Sequence, residues 1–164
     1  MRTSQEIIMN RETLTFLPVS VNITHKKIVL IGGGKVAFHK ASILSGFTDT
    51  AMVIAPEFHP GFYSLPFTLV KKRYDSEDLE DAFLVYICTE RKELNALIKA
   101  ECEKRNILAN VCDTPMLCDF ISPAVHKDGN ITISVSSNAQ NVRQSITIRN
   151  RIKTLVEEGV IEIS

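Results

Sequence analysis

The 164-residue sequence lacks a net charge, its nineteen Lys plus Arg being balanced by nineteen Asp plus Glu. With no bulk field to draw in nucleic acid or an anionic membrane surface, any anion binding has to be local. A long apolar run is also missing. No stretch approaches the roughly 20 residues of a membrane span, and Arg2, Glu6, Arg11 and Glu12 interrupt the N-terminus, so there is no signal-peptide core. The four cysteines, Cys88, Cys102, Cys112 and Cys118, form no CxxC pair and fall mostly in apolar stretches. Buried cysteines in a reducing cytoplasm are the expectation. The histidines His25, His39, His59 and His126 have no metal-ligand spacing, and no metal site is expected. His126 alone is kept as a candidate ligand or proton shuttle, because it adjoins a hairpin. These absences leave an intracellular chain with room for one core and a small appendage.

What is present is alternation. Ile28-Val29-Leu30-Ile31 is a continuously apolar, β-branched run that breaks at Gly32-Gly33-Gly34, as a buried parallel strand does. A helix follows, with Val36, Ala37, Ile43 and Leu44 at helical spacing and Gly46 placed to end it. Met52 to Ala55, Phe67 to Lys71, Phe83 to Cys88 and Ile107 to Val111 read as four more strands. Ser76 is placed to cap a short turn, and Thr89 to open a helix whose apolar stripe is Leu94, Leu97, Ile98 and Cys102. Strands alternating with helices predict an α/β fold, a Rossmann-like doubly wound parallel sheet. After Asp113 the pattern changes. Val125 to Lys127 and Ile131 to Val135 flank Asp128-Gly129-Asn130, a hairpin signature, and a last helix runs from about Asn141 to Glu158. A hairpin and one helix bury little alone, so this small α+β element packs either on a partner subunit or back on the first domain. The expected division is a polar lead-in over 1–14, a dinucleotide-binding domain over 15–113 and an appended element over 114–164.

Gly32-Gly33-Gly34-Lys35-Val36-Ala37 satisfies G-x-G-x-x-A directly after a strand and at the start of a helix. Glycines there let the backbone approach a pyrophosphate, and the helix N-terminal amides supply donors. The alternative is that three glycines merely make a tight turn. Nicotinamide dinucleotides want an acidic side chain after the second strand, and Glu57 is the only candidate, beside its reading as a solvated loop glutamate. No arginine adjoins it to pair a 2′-phosphate, which favours NAD over NADP. Thr89 and Asp113 follow the fourth and fifth strands at the carboxyl edge, where open α/β sheets bind ligands. Asp113 reads as a general base, or as an Asx turn or cap before Pro115. Arg143, Arg149, Arg151 and Lys153 form a solvated helix face or a surface for a polycarboxylate.

Taken together, these residues resemble the precorrin-2 dehydrogenase/sirohydrochlorin ferrochelatase family, including the N-terminal module of siroheme synthase. The similarity covers about Phe16 to Val156 and includes Leu17-Pro18-Val19, the stretch Gly32 to Lys40, and Asn110-Val111-Cys112-Asp113-Thr114-Pro115 followed by Phe120-Ile121-Ser122-Pro123-Ala124. The resemblance implies NAD-dependent oxidation of precorrin-2 to sirohydrochlorin, with Fe²⁺ insertion as a second activity. It further implies that Asp113 is the functional aspartate, that Lys35, Val36, Pro56 and Glu57 join Gly32, Gly34 and Thr89 in the NAD site, and that the region after Asp113 dimerises. Ser137 matches a family serine, and Ser137, His126 and Arg143 are the candidates to meet the tetrapyrrole. The sequence departs from the family where Ser136-Ser137 runs into Asn138-Ala139-Gln140 instead of two glycines. Many members also continue into a further helical region. The competing readings are a non-catalytic NAD(H)-sensing module, which needs no carboxylate near the nicotinamide, and an oxidoreductase acting on another small molecule, which leaves the basic residues of the last helix unexplained.

Overall fold

The computed structural model describes residues 14–163, so the lead-in expected over 1–14 lies, except for its last residue, outside the described residues. The chain divides into two compact units, one spanning Ser20–Ser122 and a smaller one from Pro123 onward together with residues up to Val19.

In the larger unit, β1 (Lys27–Ile31), β2 (Met52–Ala55), β3 (Thr68–Lys71), β4 (Ala82–Ile87) and β5 (Leu108–Val111) form one sheet in the order β3-β2-β1-β4-β5. Every pairing is parallel. The chain winds outward from β1 in both directions, the doubly wound arrangement that opens a crevice at the carboxyl ends of β1 and β4. The central strands β1, β2 and β4 are apolar over nearly their whole length because both faces are covered. Helix α1 (Lys35–Leu44) packs Ala37, Ala41 and Leu44 with Ile28, Leu30 and Val53 on one face. Helix α2 (Lys92–Lys104) packs Ile98 and Cys102 with Val29, Ile31, Val85 and Ile87 on the other. Each fully buried Ile, Leu or Val contributes about 1.5–3 kcal/mol relative to exposure.

Several local expectations are corrected. Leu97 was placed in the α2 stripe but is 65% exposed. The buried face instead takes in Asn95 and Lys99, polar residues that have partners there. Thr89 does not open α2, whose N-cap is Arg91. The turn at Ser76–Leu79 is capped by Asp75, whose side chain accepts from Glu77 N–H. Helix α1 runs to Leu44 with Ser45 as its C-cap, so Gly46 stands just past its end as expected, whereas Val36 is exposed. Cys88 and Cys112 are joined in a disulfide. They follow the register partners Ile87 and Val111 of neighbouring strands, so sheet pairing brings together two residues that are 24 apart in sequence. The larger unit runs past the 113 boundary drawn from sequence, to Ser122, because residues 118–120 fold back on β5.

In the smaller unit, β6 (Ala124–Asp128) and β7 (Ile131–Val135) form an antiparallel hairpin, turned at Gly129 with φ +55°. Helix α3 (Val142–Glu157) follows, with the Asn141 side chain accepting from Gln144 N–H at its start. Arg149 of α3 donates to the Val125 carbonyl of the hairpin. Among the described residues no helix is long and apolar enough to cross a membrane.

Candidate functional site

The three consecutive glycines have three different surroundings. Gly32 follows β1 with φ +126°, and a Cβ there would lie 2.4 Å from the Cys88 carbonyl oxygen at the end of β4. A Cβ on Gly33 would lie 1.9 Å from the Glu57 carbonyl oxygen and 2.8 Å from the Ala55 Cβ at the end of β2. Gly34 is the N-cap of α1, in extended conformation, and a Cβ there would meet nothing within 4 Å. Two glycines are thus demanded by packing against neighbouring strands, while the third faces open space. The loop is pinned by bonds from Gly32 N–H to the Ile54 carbonyl (2.9 Å) and from His59 N–H to the Gly33 carbonyl (2.7 Å).

Nothing within α1 competes for its first amides. Its N-cap makes no side-chain hydrogen bond, and no acidic residue stands in its first turn. The unsatisfied N–H groups and the positive end of the dipole are therefore available to an anion at the open Gly34 position. Lys35, Val36, Pro56 and Glu57 are exposed beside this loop. Glu57 lies two residues beyond Ala55, the end of β2 that Gly33 touches, in the region where dinucleotide-binding folds commonly carry a ribose-binding carboxylate. Thr89 is half-buried, and its hydroxyl bonds the buried Asn95 side chain, whose Nδ2 in turn donates to the Thr89 carbonyl at 2.9 Å. Asn95 thereby braces the loop after β4, a role with no signature in the sequence.

Asp113 lies beyond β5 with φ +65°, a left-handed conformation that Asp adopts more readily than most residues. The sequence left an Asx turn or cap open as its explanation. An Asx turn onto Pro115 is closed off, since Pro115 has no N–H, and the short helical turn Pro115–Leu117 is capped at Thr114 without a side-chain bond. The Asp113 carboxylate is exposed. Lys40, noted only as the end of a motif, is half-buried; burial pushes its ammonium below the usual 10.5, while the charges of Cys118 and Asp113 pull the other way.

The chain matches the NAD(P)-binding family profile over residues 19–124, which takes in the glycine loop, the whole five-stranded sheet and Asp113. It belongs to that family. This NAD(P)-binding chain is also 33% identical over 146 residues to the siroheme synthase of Psychrobacter sp. (strain PRwf-1), covering 87% of this chain and 30% of that protein. It is 31% identical over 147 residues to the siroheme synthase of Methylobacillus flagellatus, covering 85% of this chain and 31% of that protein. The chain spans about a third of the length of these curated relatives. Among solved structures, SirC, a precorrin-2 dehydrogenase, shares its fold with a TM-score of 0.74 at 17% identity, over 85% of this chain and 70% of that one.

The remaining sequence candidates lie in the smaller unit. The Ser137 hydroxyl accepts from Asn141 N–H at 3.0 Å, so it helps form the turn into α3. His126, in β6 opposite Ile133, has a buried Nε2 that meets no hydrogen-bond partner among the described residues. Arg143 is exposed in the first turn of α3. Among the described residues, no group of three or more His, Cys, Asp or Glu is arranged to hold a metal ion.

Proposed function

We propose that this chain is an NAD-dependent precorrin-2 dehydrogenase, oxidising precorrin-2 to sirohydrochlorin, and that it works as a homodimer in the cytoplasm. The observation that carries the reading is the juxtaposition at one sheet edge. A glycine loop with an open anion position ends β1, and an exposed carboxylate, Asp113, follows β5 two strands away. The likeness to siroheme synthases supports a tetrapyrrole as the substrate.

When bound, NAD⁺ supplies a two-electron acceptor that takes up hydride from a ring carbon. The chain's own residues bind and deprotonate. The α1 amides with Gly32, Gly34, Lys35 and Val36 hold the pyrophosphate, and Pro56, Glu57 and Thr89 line the remainder of the cofactor. Loss of hydride leaves a cationic macrocycle that must shed one proton, and Asp113 accepts it, so precorrin-2 plus NAD⁺ gives sirohydrochlorin, NADH and H⁺. Ser137, His126 and Arg143 are assigned to the substrate's peripheral carboxylates. Iron insertion is the second activity we infer, with Asp113 again accepting protons as pyrrole N–H groups are lost; the iron enters as substrate.

The test is anaerobic. Purified protein is mixed with precorrin-2 and NAD⁺ while NADH and the macrocycle spectrum are followed, beside Asp113→Asn, an isosteric change. NADH with a sirohydrochlorin spectrum, reduced about 10²–10⁴-fold in the variant, is the expected result. Tight NAD⁺ binding without turnover would instead favour a non-catalytic NAD(H) sensor.

A further inference from the structure

We propose that the Lys99–Asp119 ion pair is a positioning device for Asp113, closing the loop that carries it onto β5. The inference rests on the dehydrogenase reading, and it concerns residues that reading leaves without a role.

The outward-facing backbone groups of β5 are taken up one by one by the loop that follows it. Ala109 N–H donates to Asp119 Oδ2 at 2.9 Å, and Asp119 N–H donates back to the Ala109 carbonyl at 2.9 Å. Val111 N–H donates to Cys118 Sγ at 3.2 Å, and Thr114 N–H to the Val111 carbonyl at 3.1 Å. The buried Asn110 side chain donates to the Phe120 carbonyl at 2.9 Å. Residues 112–119 therefore leave β5 and return to it, with Asp113 held between the strand end and a tight turn. Asp119 is the corner of the closure. One of its carboxylate oxygens binds the strand, and both lie within 2.8–2.9 Å of the Lys99 ammonium. Lys99 comes from α2, is only 5% exposed, and reaches Glu103 at 2.9 Å as well. A lysine so buried needs its counter-charges, and the cost of losing one falls on the loop.

A left-handed Asp persists only where its surroundings over-determine it. Releasing Asp119 frees the return leg of the loop and lets Asp113 relax away from a productive geometry, and displacements of about 1 Å cost on the order of 10²-fold in rate. Lys99 and Asp119 act on the reaction through Asp113 and need not touch substrate.

The experiment compares wild type, Lys99→Met, Asp119→Ala, Asp119→Asn and the Lys99→Met/Asp119→Ala double variant with precorrin-2 and NAD⁺. The expected result is kcat lowered about 10–100-fold with KM for NAD⁺ nearly unchanged, and a double variant no slower than Asp119→Ala. Asp119→Asn, which keeps an acceptor for Ala109 N–H, should recover part of the loss. Amide exchange should quicken at Val111 and Thr114 but not in β1. Should Asp119→Ala fail to fold, Lys99→Met, which leaves every backbone bond in place, decides the matter. Folded variants that melt earlier yet keep wild-type kcat would overturn the proposal and leave a purely structural ion pair. An inactive wild type, by contrast, would overturn the dehydrogenase reading itself, and with it any catalytic meaning of the clamp.

Discussion

Replacing Gly33 and Gly34 separately by alanine should split stability from cofactor binding. At Gly33 the added methyl would sit 1.9 Å from the Glu57 carbonyl oxygen and 2.8 Å from the Ala55 Cβ, both fixed by the strand end of β2. Neither is the far end of a flexible side chain, so the backbone itself must move. The cost belongs at the top of the overpacking range, about 3 kcal/mol, which for a protein of this size lowers Tm by roughly 6–12 °C. At Gly34 the methyl meets nothing, and φ −80° with ψ −172° is open to alanine. A lost N-cap preference of a few tenths of a kcal/mol and a similar gain from restricting the unfolded chain nearly cancel. Gly34→Ala should therefore melt within about 2 °C of wild type. It should nevertheless bind NAD⁺ at least about tenfold more weakly, since its methyl occupies the space where the pyrophosphate approaches α1. Thermal unfolding followed by circular dichroism and titration calorimetry with NAD⁺ measure the two effects. Wild-type NAD⁺ affinity in Gly34→Ala would refute the assignment of this loop to the pyrophosphate.

Three other outcomes are expected. The Lys40 ammonium is held below 10.5 by burial, so its folded form binds fewer protons than the unfolded chain as pH approaches that value, and its destabilising effect is full at neutral pH and fades towards pH 10.5. Lys40→Met should raise Tm at pH 7 by an amount that shrinks with rising pH; a gain independent of pH would contradict this. Asn95→Ala should cost about 1–3 kcal/mol in urea unfolding, because it leaves the half-buried hydroxyl and carbonyl of Thr89 without their partner, and should weaken NAD⁺ binding as the loop after β4 loosens. Thiol titration of the unreduced protein in denaturant should count only Cys102 and Cys118, with Cys88 and Cys112 appearing after reduction.

The sheet was legible because parallel strands buried on both faces are written as unbroken apolar runs. Met52–Ala55 matches its expected bounds, closed off by Pro56. The glycine loop was legible because its motif sits between a strand and a helix. Less visible was anything depending on partners brought in from elsewhere. Asn95 and Lys99 look like surface residues until Thr89 and Asp119 are folded against them, and Leu97 looks like core until its outward direction is known. The Cys88–Cys112 bond needed the register of β4 against β5. One correction was within reach of the sequence alone. Proline's missing N–H already excluded an Asx turn from Asp113 onto Pro115.

The return of residues 118–120 along β5 also bears on how the chain behaves in a crowded solution. In the sheet order β3-β2-β1-β4-β5, β5 is a terminal strand, and such a strand ordinarily offers a row of free donors and acceptors to any passing chain. Here Ala109 and Val111 are already occupied by Asp119, Cys118 and Thr114. The carboxylate at position 119 thus doubles as a gatekeeper against strand addition. Its loss uncovers the Ala109 N–H of this edge, and Asp119→Ala should be the first of these variants to aggregate on storage.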